Sequence, residues 1–151
     1  DEACELTKAG CWIDITAFET GDVGYEPSAA IQRYFAQGHD PSKLTISSDG
    51  GGCLPDFDQH GRLLKMDFAT ASSMTAVFQE LAASELALEH YLPCFTRNVA
   101  QLLCLSNKGQ IVQGCDADLL VLDQDHSIDH VMALGQWHLI NKKQIIKGTV
   151  E

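Results

Sequence analysis

The feature that most constrains this chain is a triplet near its start: an apolar run at residues 11–17, an amphipathic stretch at 27–37 and a second apolar run at 44–47. The first, Cys11-Trp12-Ile13-Asp14-Ile15-Thr16-Ala17, reads as a buried strand. In the second, Pro27 suits the first turn of a helix, and Ala30, Ile31, Tyr34 and Phe35 recur at helical spacing. Gly38-His39-Asp40-Pro41 ends that helix before the next strand. Strand, helix and strand joined by short links form a βαβ unit, because parallel strands need a crossover. The expected class is therefore α/β.

The second strand stops at Ser48-Asp49-Gly50-Gly51-Gly52-Cys53. A strand end is a rigid place to hold a reactive group, and in parallel α/β folds chemistry sits at the C-terminal ends of strands. Glycines let a ligand approach the backbone closely. Asp49 is thus the leading candidate for a catalytic or metal-binding residue. Asp-Gly is also a common turn pair, so the same residues admit a purely structural reading. No phosphate-binding pattern follows the glycines.

Residues 1–9 look helical, with Gly10 as the stop. Residues 55–62 form a polar, turn-rich excursion over the strand end. Three helices are expected next. Ser72 or Ser73 caps the first, which faces inward with Met74, Val77, Phe78 and Leu81. Ser84 caps the second, holding Leu86, Leu88 and Tyr91 and stopped by Pro93. Thr96 caps the third, with Val99, Leu102 and Leu103 inward and residues 107–109 closing it. From residue 110 the texture changes to short β-rich runs separated by Gly114, Gly135 and Asn141, which predicts a small antiparallel sheet.

A length of 151 residues suits about one domain. The net charge of −11 argues against partners that are nucleic acids or anionic membranes, since binding phosphate relies on Lys and Arg. No apolar run reaches membrane-spanning length and no signal-peptide pattern opens the chain. The six cysteines form no C-x-x-C pair and sit beside apolar residues, so they read as buried, reduced thiols of a cytoplasmic protein. Six histidines fall in loops, helices or the β-rich tail and read as non-ligands. Trp12 and Trp137 read as packing residues, Asp116 and Asp118 as turn residues, and Glu19 and Asp22 as solvated loop carboxylates placed to line a site only as an alternative. The chain opens without Met, on what looks like a helix already under way, and so reads as a piece of a longer polypeptide.

Three stretches carry a resemblance: Ile13-Asp14-Ile15-Thr16, Thr45-Ile46-Ser47-Ser48-Asp49-Gly50, and Lys108-Gly109-Gln110-Ile111 running into Gly114-Cys115-Asp116-Ala117-Asp118-Leu119-Leu120-Val121-Leu122. The last resembles the amidohydrolase superfamily, where the chain leaves a metal-dependent (β/α)8 barrel and enters a small β-sandwich. The Ser-Ser-Asp-Gly stretch and the Lys147-Gly148-Thr149-Val150-Glu151 end resemble the bacterial isoaspartyl (β-aspartyl) dipeptidases, over nearly the whole chain. The resemblance implies the C-terminal portion of such an enzyme. Residues 1–109 would supply the last βα units of the barrel and 110–151 the C-terminal part of the sandwich.

The implied activity is zinc-dependent hydrolysis of small isoaspartyl dipeptides, with a binuclear zinc site in the full-length enzyme and most ligands outside this chain. Asp49 matches the aspartate after the last barrel strand. In the family that residue binds metal, takes the proton of the bridging hydroxide and passes it to the leaving amine. Gly52 and Cys53 match the loop that touches the dipeptide's α-carboxylate. The family has serine at the position of Cys53, and a thiol is the weaker donor. The first-strand H-x-H of the family is absent here. A full barrel needs about 250 residues, so the isolated chain is expected to be inactive, and the full-length enzyme to be a homo-oligomer. Two other readings stay open: a different amidohydrolase chemistry (a deacetylase or cyclic amidase), or a non-catalytic truncated binding or assembly module.

Overall fold

The computed structural model describes residues 2–17 and 26–148. The expected loop at 20–25, Glu19 and Asp22, and residues 149–151 of the C-terminal motif lie outside the described residues. The chain is mixed α/β. Helix α1 (Glu2–Lys8) ends where Gly10 N donates to Thr7 O and Cys11 N to Leu6 O, bonds that satisfy carbonyls left open at a helix end. Strand β1 (Ile13–Thr16), helix α2 (Pro27–Ala36) and strand β2 (Leu44–Ser47) follow. The first strand is shorter at both ends than the apolar run that predicts it.

The two strands pair in parallel, Ile13 beside Leu44 through Thr16 beside Ser47, with α2 in the crossover, as the βαβ reading requires. Strand alternation puts Ile13, Ile15, Leu44 and Ile46 on one face. That face meets Ile31 and Tyr34 of α2, Val77 and Leu81 of α3 (Ser72–Ala82), and Tyr91 and Cys94 of α4 (Leu88–Phe95). Ile31, Leu44 and Leu81 are fully buried, each contributing about 1.5–3 kcal/mol.

The predicted caps of the later helices are corrected. Ser72 and Ser73 lie inside α3, where Ser73 Oγ donates to Thr70 O. Ser84 bridges the break between α3 and α4, donating to Leu81 O and accepting from Leu86 N, and α4 begins only at Leu88. Pro93 lies within α4, which runs on to Phe95. A proline removes its own N–H bond and crowds the carbonyl four residues back, a cost that the burial of Tyr91 and Cys94 offsets. In α5 (Arg97–Leu102) the inward residues are Asn98 and Ala100, whereas Leu102 and Leu103 are exposed. Thr96 occupies the cap position but its hydroxyl donates back to Leu92 O.

The turn-rich excursion at 55–62 is a turn over residues 58–62, and its first three residues belong to a strand. Residues 53–68 form an antiparallel hairpin of β3 (Cys53–Phe57) and β4 (Leu63–Phe68). Only the tip is a turn: Asp58 Oδ1 accepts from His60 N and Arg62 N, and Asp58 N donates to Arg62 O. The Pro, Asp and Gly residues that dominate the stretch masked the two flanking strands.

After an irregular stretch in which Ile111 and Val112 are exposed and unpaired by strands, the chain forms a four-stranded antiparallel sheet in sequence order. Its strands are β5 (Leu119–Leu122), β6 (Ile128–Ala133), β7 (Gln136–Ile140) and β8 (Lys143–Gln144). Lys108 Nζ ties its entrance together, 2.9 Å from Asp116 and 2.5 Å from Asp118, and Asp118 Oδ1 accepts from Leu134 N at 2.7 Å. Among the described cysteine side chains the expectation of buried thiols holds for Cys94 alone, whose pKa burial pushes up to about 12. Cys11, Cys53 and Cys104 are exposed and Cys115 is half-buried, all as free thiols.

Candidate functional site

The site is built at the C-terminal end of β2. Strand β2 is fixed at both ends by polar contacts. At its start, the buried Asn98 of α5 donates from Nδ2 to Pro41 O and to Leu44 O, both at 2.8 Å. Along its length, Asp14 of β1 accepts from Thr45 Oγ1 at 2.8 Å and Ser47 Oγ at 2.6 Å. These residues share the face opposite the apolar core, since Asp14 pairs with Thr45 and Thr16 with Ser47. At its end, Ala17 N donates to Ser47 O at 2.6 Å. Ser47, two residues before Asp49, is therefore held through backbone and hydroxyl alike.

Asp49 is exposed and carries a φ of 51°, a left-handed conformation that Asp tolerates better than most residues. Its carbonyl accepts from Gly52 N at 2.7 Å, closing a four-residue turn. The base of the hairpin is joined to that turn: Gly51 N donates to Ala69 O and Ala69 N to Gly52 O. A side chain at Gly52 would place its Cβ 2.5 Å from Asp49 Oδ2 and 2.8 Å from Asp49 O. Gly52 therefore lies against the Asp49 carboxylate, and the absence of a side chain there is what leaves room for it. Cys53 follows as the first residue of β3, exposed and directly across from Phe68. The structure thus brings Asp49 and Gly52 into contact and sets Cys53 next to them.

Sequence reading missed Asp14 and Asn98. Asp14 left a trace, a carboxylate in the middle of an apolar strand. Asn98 left none, because its task depends on two carbonyls far away in the chain.

Among the described residues, no three His, Cys, Asp or Glu side chains converge into a metal cage. Several histidines serve packing: His39 lies against Tyr34, His90 stacks on Phe35 and His130 meets Trp137. The exposed Asp49 carboxylate fits the part of one metal ligand, and zinc sites need three or four. A cavity of about 560 Å³ opens elsewhere, between α3, α4 and the C-terminal sheet, lined by Met74, Phe78, Leu92, Phe95, Leu120 and Ile128. Its walls are mostly apolar, with Asp116, Asp118 and His126 among them, and it includes no residue of the Asp49 turn.

No protein-family model matches the chain. Solved structures do. The β-aspartyl dipeptidase of the thermophilic, keratin-degrading Fervidobacterium islandicum AW-1, in complex with a β-Asp-Leu dipeptide, superposes with a TM-score of 0.87 at 30% identity, over 98% of this chain and 38% of that one. A second structure of β-aspartyl dipeptidase from that organism gives 0.78 at 25% identity, over 98% and 36%. The N-acetylglucosamine-6-phosphate deacetylase of Thermotoga maritima gives 0.60 at 12% identity, over 83% and 38%, a likeness of fold alone. The class these neighbours define is that of amidohydrolase-superfamily hydrolases. Within it, this chain resembles the β-aspartyl dipeptidases along almost its whole length, and spans a little over a third of theirs, as the C-terminal portion of such an enzyme would.

Proposed function

We propose that this chain is the C-terminal portion of a metal-dependent hydrolase of β-aspartyl dipeptides, in which β1 and β2 are the last strands of the barrel and the four-stranded sheet is part of the small sandwich. The observation that carries the reading is the superposition of 98% of the chain on a β-aspartyl dipeptidase, with an aspartate and a glycine turn at the end of the second parallel strand. The deacetylase likeness, at 12% identity, supports no competing substrate.

In this reading Asp49 is one ligand of zinc and the group that accepts and returns a proton during hydrolysis. Zinc, when bound, lowers the pKa of water and polarises the scissile carbonyl. The chain's own residues do the rest of the positioning. Asp14, Thr45 and Asn98 fix β2, Ser47 carries that rigidity to the strand end, and Gly52 clears the space in which the Asp49 carboxylate stands. Gly52 and Cys53 form the loop that meets the dipeptide's α-carboxylate. The thiol of Cys53 donates more weakly than a hydroxyl would.

The test is substrate discrimination by a polypeptide that carries this chain behind its upstream barrel. It is expected to hydrolyse β-Asp-Leu and to leave α-Asp-Leu and N-acetylglucosamine-6-phosphate intact. Deacetylation without dipeptide hydrolysis would replace this reading with the deacetylase one.

A further inference from the structure

A line of side-chain hydrogen bonds runs along the polar face of β1 and β2 toward Asp49. It starts at Thr45, which is 2% exposed and whose hydroxyl donates to Asp14 Oδ1 at 2.8 Å. The other oxygen, Asp14 Oδ2, accepts from Ser47 Oγ at 2.6 Å. Asp14 is directly beside Thr45 in the register, so its reach to Ser47 is diagonal, toward the strand end. An exposed aspartate ordinarily samples several rotamers. Asp14 is exposed, yet both its oxygens are engaged, one of them by a residue that packing holds in place.

The backbone pairing alone gives the strand end modest support. The parallel ladder covers four residues of each strand, Ser47 is in its last pair, and parallel pairing is slightly the weaker kind per residue. Beyond Ser47 the chain enters the left-handed backbone of Asp49, whose carbonyl is held downstream by Gly52 N at 2.7 Å. Upstream, Ser47 is the last residue of β2, so its position sets where the turn begins. We infer that Asp14 is a positioning residue that aims the Asp49 carboxylate through Ser47, with Thr45 fixing the orientation of Asp14, an inference that rests on the β-aspartyl dipeptidase reading and on the part Asp49 plays in it. A reacting group misplaced by about 1 Å can cost about 10²-fold in rate. A loss of aim at the proton-handling group falls on kcat more than on KM.

Steady-state kinetics on β-Asp-Leu test this, in the polypeptide that carries this chain behind its upstream barrel, together with zinc content and chemical denaturation. Ser47→Ala and Asp14→Ala are each expected to lower kcat at least about tenfold per folded molecule, with KM within about threefold. Zinc content should stay near that of the unmodified polypeptide. Thr45→Val should lower kcat less than either. Residues in one hydrogen-bond line do not act additively, so the double variant Asp14→Ala with Ser47→Ala should lie within about twofold of the lower single one. Denaturation supplies the folded fraction and so separates lost aim from lost stability. Ser47 is partly exposed, so Ser47→Ala decides the matter should Asp14→Ala fail to fold. An unmodified polypeptide inactive on β-Asp-Leu overturns the functional reading and this inference with it. With an active one, three results overturn the inference alone: Ser47→Ala keeping kcat within about twofold, losses of the two single variants that multiply in the double one, or loss of zinc from Asp14→Ala but not from Ser47→Ala.

Discussion

Asp49 and Gly52 are a matched pair. The aspartate takes a left-handed backbone at the end of a strand, and the glycine three residues later lies against its carboxylate. The turn at Asp49 was legible in the sequence, because a carboxylate after an apolar run and before three glycines is a recognisable pattern. The task of Gly52 was not. The resemblance implies a substrate contact for it, and the geometry adds that it leaves room for Asp49. Gly52→Ala would force a methyl within 2.8 Å of the Asp49 backbone oxygen, an atom that cannot swing aside as a side chain end can. In the longer enzyme this change is expected to lower kcat at least tenfold, with a smaller effect on KM, because it displaces the proton-handling group more than the substrate loop. Steady-state kinetics decide this, and an unchanged kcat would show that the turn adapts.

At the scale of elements, the parallel pair was readable because two strands and a crossover helix leave separate periodicities in the chain. The hairpin was missed because Pro55, Asp58 and Gly61 dominate a stretch whose alternation, Leu63 to Phe68, is only six residues long. The inward face of α5 was misjudged because hydrophobicity picks Leu102 and Leu103, while the fold needs a donor at Asn98. Replacing Asn98 by Ala removes the donor to the buried Leu44 carbonyl and to the part-buried Pro41 carbonyl, and a buried acceptor left unsatisfied costs about 1–3 kcal/mol. Asn98→Ala is therefore expected to destabilise the chain by about 2–4 kcal/mol in chemical denaturation, and a loss below about 0.5 kcal/mol would contradict the anchoring role. The C-terminal sheet has its own weak point in acid. The Leu134 N–H and then Lys108 hold Asp118 below the ordinary carboxylate value of 3.8, and Lys142 and then the Ser127 N–H do the same for Asp123. Groups lowered in the folded state stabilise it above their unfolded pKa, and that support fades as pH falls through the folded values. The sheet should hold to about pH 4 and loosen below it. Trp137 fluorescence in a Trp12→Phe variant measures this, and loosening near pH 6 would contradict it.

At the scale of the whole molecule, two parallel strands, a projecting hairpin and a small antiparallel sheet are together similar to about a third of a β-aspartyl dipeptidase. One carboxylate at a strand end supplies one ligand, so the isolated chain is expected to bind less than one equivalent of zinc and to leave β-aspartyl dipeptides intact. Two tightly bound metals per chain, measured by elemental analysis, would contradict the ligand assignment. Asp49 carries the proposed chemistry, and Asp49→Asn tests that role most directly. In a polypeptide carrying the upstream barrel, the amide keeps the shape of the carboxylate but cannot take up a proton. Removing general acid–base catalysis predicts a fall in kcat on a β-aspartyl dipeptide of about 10²–10⁴-fold, and a kcat close to that of the unmodified enzyme would contradict the role given to Asp49.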